Sequence, residues 1–104
     1  MRAPLLAPVL LIVLSIPLIF GWVPPNGLYG FRTPKTLSSR DIWYRANRMS
    51  GIYMVVAALV IAAGQLLLRT AGWPEERLRI AMLLIVLAPV AAALAASFAY
   101  LRKL

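Results

Sequence analysis

The sequence predicts an all-α polytopic membrane protein. It has three transmembrane helices, with a basic, Pro/Gly-rich loop and an interfacial helix between the first two. Three observations lead there. Of 104 residues, 62% are apolar and 13% charged, whereas soluble domains run at about 45–50% apolar and about 25% charged. The charges come in blocks that leave residues 3–31, 49–68 and 80–101 uncharged. Each window exceeds the roughly 18 apolar residues that mark a helix able to cross a ~30 Å hydrocarbon core. The whole chain, 1–104, is read as one membrane domain with spans at about 5–23, 49–68 and 80–101.

The first span begins after Met1-Arg2 and could resemble a signal peptide. Its apolar run is long for one, and Gly21-Trp22-Val23-Pro24 offers no small-x-small cleavage site. A retained helix is expected. Pro8 and Pro17 lie inside it, so a kinked helix packed against neighbours is expected. Pro24-Pro25-Asn26-Gly27 ends it, and Trp22 suits the membrane interface.

Next comes a loop unlike its surroundings. Arg32-Thr33-Pro34-Lys35-Thr36 is basic and expected to be extended, because a residue before proline avoids the helical region. Ser38, with Asp41 three residues on, resembles a capping box. A helix can run from near Ser39 through the second span, with Asp41 and Arg45 paired one turn apart. Its first turns then lie in the headgroup zone, with Trp43 and Tyr44 at the interface.

The second loop is short. Gly72 suits the end of one helix and Pro74 the start of the next. Glu75 and Glu76 suit its first turn, where negative charge meets the positive end of the helix dipole. In the third span Ala88, Ala92, Ala95, Ala96 and Ala99 form a small-residue face, as Ala58, Ala62, Ala63 and Gly64 do in the second. Such faces let membrane helices approach closely, within one chain or in a homo-oligomer.

Orientation follows from the basic residues. Arg2, Arg69, Arg77 and Arg79 fall on one side; Arg32, Lys35, Arg40, Arg45, Arg48, Arg102 and Lys103 fall on the other. The positive-inside rule puts the first loop and the C-terminus in the cytoplasm and the N-terminus outside.

The composition also excludes function classes. There is no Cys and no His, which removes disulfides, Cys/His metal sites and histidine-based nucleophile systems. The three carboxylates lie outside the apolar windows, so no catalytic constellation and no cofactor site is expected. No ionisable side chain sits at bilayer depth, as an ion-coupled transporter requires. Gln65 is the most polar group of the second span, and Ser15 and Ser97 can bond back to their own helices. The net charge of +8 is spread over short membrane-flanking loops, which argues against nucleic acid as a partner.

One ordered pattern stands out: Pro24, Asn26, Tyr29, Gly30, Arg32, Thr33, Pro34, Thr36, Leu37, Asp41, Trp43, Asn47, Arg48 and Gly51. It resembles the signature of the SdpI-type membrane protein family. The resemblance implies a bacterial inner-membrane protein tied to toxin immunity or signal relay. The family takes its name from a protein that protects its producer against a secreted peptide toxin and that also holds a soluble repressor at the membrane. Longer members carry further helices before this unit.

Candidate ligand- or partner-binding residues are Asn26, Tyr29, Arg32, Thr33, Trp43, Asn47 and Arg48. Arg32, Arg45 and Arg48 offer guanidinium forks that suit a lipid phosphate, a peptide carboxylate or an acidic patch on a soluble regulator. The alternative is architectural: Arg32 and Arg48 bond loop carbonyls while Asn26 and Asn47 cap turns. Lys35 and Arg40 are read as part of the basic charge that attracts anionic headgroups. Two function classes stay open here. One is an immunity or receptor protein; the other is a small structural or regulatory subunit of a larger membrane complex.

Overall fold

The computed structural model describes residues 5–104. The chain is all-α: α1 (Leu6–Ile19), α2 (Pro34–Leu37), α3 (Arg40–Thr70) and α4 (Glu75–Leu101), with no strand among the described residues. Arg2, counted above on the N-terminal side, lies outside them.

The fold is organised by α3. Its 31 residues span about 46 Å at about 1.5 Å each, close to the 49 Å long axis of the molecule. The N-cap is Ser39, not Ser38: the Ser39 hydroxyl oxygen accepts from the Ile42 N–H at 3.4 Å. Ser38 instead closes α2, donating to the Lys35 carbonyl at 2.6 Å. Asp41 and Arg45 meet at 3.3 Å on the exposed face, so this pair adds little to stability.

Both α1 and α4 pack on α3, and α2 rests on its N-terminal end. The buried face of α3 carries Trp43, Ala46, Asn47, Ser50, Gly51, Ala57, Ala58, Ile61 and Gln65, spaced as one helical stripe. Glycines set the closeness of approach. A Cβ on Gly51 would lie 2.7 Å from Ile19 Cγ1 and 3.1 Å from the Ser15 carbonyl oxygen, so α1 meets α3 nearly backbone to backbone. Gly64 makes room for the Ile85 side chain of α4, whose Cδ1 a Cβ there would meet at 2.6 Å. Gln65 is turned inward, and its Oε1 has no hydrogen-bond partner.

The remaining surface is apolar. Leu59, Leu67, Ile80, Leu83, Leu84 and Leu87 are all more than half exposed. α3 and α4 are each long and apolar enough to cross a bilayer. With such an outward face the chain is a membrane protein.

α1 is shorter than expected. The sequence predicts a first span over 5–23, but the helix stops at Ile19. Gly21 takes a φ of +72°. The Trp22 N–H bonds the Pro17 carbonyl at 2.9 Å and the Gly21 N–H the Leu18 carbonyl at 3.4 Å, which forms a Schellman stop. The stretch after Arg32 differs too. Only Thr33 is extended, and Pro34–Leu37 forms a helical turn. Thr33 and Thr36 make a reciprocal capping box, and Pro34 sits at the first helical position, where its missing N–H has no helical bond to make. At the far end, Gly72 at φ +68° follows the α3 C-cap, and Glu75 and Glu76 open α4 after Pro74. Ser97 bonds back to the Ala93 carbonyl at 2.7 Å.

Candidate functional site

The signature residues converge on the loop of residues 20–33 and on the first turns of α3. Trp43 and Asn47 are one turn apart on α3 and both reach the loop. Trp43 is fully buried, and its indole Nε1 donates to the Val23 carbonyl at 2.8 Å. Asn47 Oδ1 accepts from the Phe31 N–H at 2.6 Å. Asn47 Nδ2 donates to the Phe31 carbonyl at 3.3 Å and to the Trp43 carbonyl at 3.0 Å.

Asn26 builds the turn itself. Its Oδ1 accepts from the Leu28 and Tyr29 N–H groups at 2.8 and 2.7 Å. Its Nδ2 donates to the Pro24 and Tyr29 carbonyls at 2.8 and 3.0 Å. A short polar side chain that bonds backbone two and three residues on is the usual stabiliser of such a turn. Gly30 then crosses over Trp43 and Asn47 with a φ of +117°; a Cβ there would lie 2.8 Å from Asn47 Oδ1.

Tyr29 ties the loop to α1, its hydroxyl donating to the Leu14 carbonyl. Burial pushes this phenol above its ordinary pKa, so it stays a protonated donor at neutral pH. Arg32 Nη1 donates to the Gly27 carbonyl, closing the loop on itself. Phe31 leaves the loop toward α4 and meets Phe98 edge to face at 5.0 Å.

The candidates therefore separate. Asn26, Tyr29, Thr33, Trp43 and Asn47 are all committed to internal hydrogen bonds. Arg32 is exposed and uses one donor internally. Arg48 is exposed and has no polar partner among the described residues. Neither is ion-paired with a carboxylate among the described residues.

Lys35 departs from its reading as general basic charge. Its Nζ donates to the Leu101 carbonyl at 2.8 Å, across 66 residues of sequence, at the end of α4, where that carbonyl also accepts from the Leu104 N–H at 3.0 Å. Sequence spacing carries no signal for this contact. Gly30 did carry one, as a glycine in a turn-rich segment, and its φ explains it.

Beneath the loop lies a cavity of about 420 Å³ between α1 and α4 over the surface of α3. Its walls include Leu11, Leu18, Met54 and Leu94, with Tyr29 and Arg32 among the loop residues that line it. Among the described residues no cluster of acidic side chains suits a metal ion.

The sequence pattern of the SdpI/YfhL protein family matches residues 23–100. The uncharacterized protein YfhL of Bacillus subtilis (strain 168) is 44% identical over 43 residues. That match covers 41% of this chain and 39% of the relative, so the chain spans well under half the length of the curated protein it matches. No solved structure matches.

Proposed function

Because the chain belongs to the SdpI/YfhL protein family, we propose that it is a bacterial membrane protein of the toxin-immunity or signal-receptor type. It crosses the cytoplasmic membrane three times, on α1, α3 and α4. Its N-terminus is outside, and its first loop and C-terminus are cytoplasmic. The cytoplasmic loop recognises an anionic group on a peptide or a soluble regulator.

One observation carries this reading. The loop is held by Asn26, Trp43 and Asn47 through backbone bonds, while the guanidinium groups of Arg32 and Arg48 stay exposed without a carboxylate partner. A rigid platform presenting guanidinium groups with donors to spare is pre-organised for an anion. The excess of basic residues beside this loop supports its cytoplasmic placement.

The test is expression in a sensitive host challenged with membrane-active peptides, paired with a mild-detergent pull-down. The wild-type chain protects and retains a partner; Arg32→Ala and Arg48→Ala insert normally but lose both. Equal survival with the wild-type chain and an empty vector across the peptide panel overturns the immunity reading.

A second reading has its own support. Ala88, Ala92, Ala95 and Ala99 are exposed along α4, leaving a close-approach face for another helix. This suits a small structural or regulatory subunit, or a homo-oligomer. Stoichiometric co-purification with one larger membrane protein, unaffected by Arg32→Ala, would favour it.

A further inference from the structure

The cavity under the loop holds two groups that the fold leaves unused. Ser15 on α1 is 4% exposed and Ser50 on α3 is 7% exposed, and both line the cavity. Neither hydroxyl has a hydrogen-bond partner among the described residues, although Ser97 on α4 bonds back to its own helix. Gln65 Oε1 is the orphan among fully enclosed side-chain polar atoms, so the Ser15 and Ser50 hydroxyls open onto the cavity. Buried hydroxyls are normally paired, so two unpaired ones on facing helices are a ligand-directed feature.

The rest of the cavity supplies the ligand's other parts. Leu11, Leu18 and Met54 give it apolar walls, with Leu11 and Met54 each one helical turn from Ser15 and Ser50 respectively. Leu14, Leu94 and Phe98, which also line it, are about half exposed, so the opening faces sideways into hydrocarbon. Arg32 stands at the loop end with no carboxylate beside it. The cavity thus offers a cation, two hydroxyl donors and apolar walls. We propose that it binds one anionic phospholipid of the surrounding bilayer, with the phosphate on Arg32, the ester carbonyls accepting from Ser15 and Ser50, and an acyl chain along Leu11 and Met54.

A peptide fits this donor set less well. Each of its residues brings an N–H and a C=O that must be satisfied away from water. The Tyr29 hydroxyl is already spent on Leu14, which leaves the two serines. The phosphodiester and acyl-ester part of a phospholipid, which is the part placed inside the cavity, brings acceptors and no donors. The cavity volume lies within the range of about 300–1,000 Å³ usual for small-molecule sites. This inference goes beyond the recognition reading and is tested separately, on purified protein rather than in cells.

The experiment is a thermal-shift titration of the full-length, delipidated chain in detergent, with phosphatidylglycerol, phosphatidylcholine, palmitate or a leucine-rich peptide bearing a free carboxylate. Phosphatidylglycerol raises the melting temperature of the wild type more than the others do, and native mass spectrometry counts one bound lipid. Ser15→Ala/Ser50→Ala melts like wild type without lipid, since its hydroxyls bond nothing, and binds phosphatidylglycerol at least tenfold more weakly. Arg32→Met binds phosphatidylglycerol and phosphatidylcholine equally. Equal phosphatidylglycerol binding by wild type and the double serine variant overturns the proposal. So does a response to palmitate or the peptide that exceeds the response to phosphatidylglycerol. A wild-type chain that binds phosphatidylglycerol as expected but gives cells no protection defeats the recognition reading alone.

Discussion

Asn47 pairs with Phe31 as one backbone segment pairs with another. Its amide oxygen takes the Phe31 N–H at 2.6 Å, and its amide nitrogen gives to the Phe31 carbonyl at 3.3 Å. A single side chain at 1% exposure thus satisfies both polar groups of a loop residue 16 positions away. Asn47→Ala leaves both groups unpaired. The expected loss is about 1–3 kcal/mol per orphaned group. Asn47→Asp keeps the acceptor and loses the donor, so it falls between. Chemical denaturation in mild detergent, with Trp43 fluorescence as the probe, checks the order Asn > Asp > Ala.

Gly30→Ala tests the same junction from the other side. The φ of +117° is closed to an L side chain, and the Cβ meets Asn47 Oδ1 at 2.8 Å. Strain of this kind amounts to about 1–3 kcal/mol. The loop should detach before the bundle melts. Limited proteolysis should cut within residues 24–33 of the variant and spare the wild type. Gly27→Ala, which meets nothing within 4 Å, serves as the matched control.

Much of the bundle was legible from the charge-free windows, because apolar surface of that length has no other stable arrangement. The ends were less so. α1 stops at Ile19 because Gly21 in a Schellman turn outranks the apolar residues after it. Ser39 caps α3 because Ser38 is used by α2. The first is a stop that comes before Pro24 and the second a choice between adjacent serines, and in both the backbone bonds actually formed decide. The candidate site divides the same way. The turn-forming role of Asn26 follows from its neighbours. The pairing of Asn47 with Phe31, the reach of Lys35 to Leu101 and the two free serine hydroxyls depend on how helices meet.

Lys35→Met removes the bond to the Leu101 carbonyl. The stability change is small, about 1 kcal/mol, but it is local. Hydrogen exchange should quicken at residues 101–104 and at 35–37, with the centre of α3 unchanged. Uniform exchange across the chain would show that the contact does not hold the C-terminal end.

Tyr29 makes the loop sensitive to alkali. Its phenol is raised above the ordinary value of about 10 by burial, and its bond to Leu14 needs the proton. A raised folded-state pKa means the contribution is whole below the unfolded value and is lost as pH climbs through the raised one. Wild type should destabilise between neutrality and strong alkali by more than Tyr29→Phe does. Parallel curves for the two would remove Tyr29 from the loop's support.

In the three-span arrangement proposed above, the helices offer one bilayer unequal lengths. α1, with 14 residues, reaches about 21 Å, well short of the ~30 Å of hydrocarbon that α3 overshoots. In that arrangement the chain on the α1 side turns into irregular structure at the cytoplasmic edge of the hydrocarbon, where water is scarcer than in bulk. Non-helical backbone survives there only when protein groups take over water's role. The Asn26, Trp43, Asn47 and Arg32 bonds to loop backbone are that substitute, and they make hydrophobic mismatch at a short helix tolerable. A membrane of different thickness shifts how much of this loop is wet, so lipid thickness becomes an input to the same residues that shape the site.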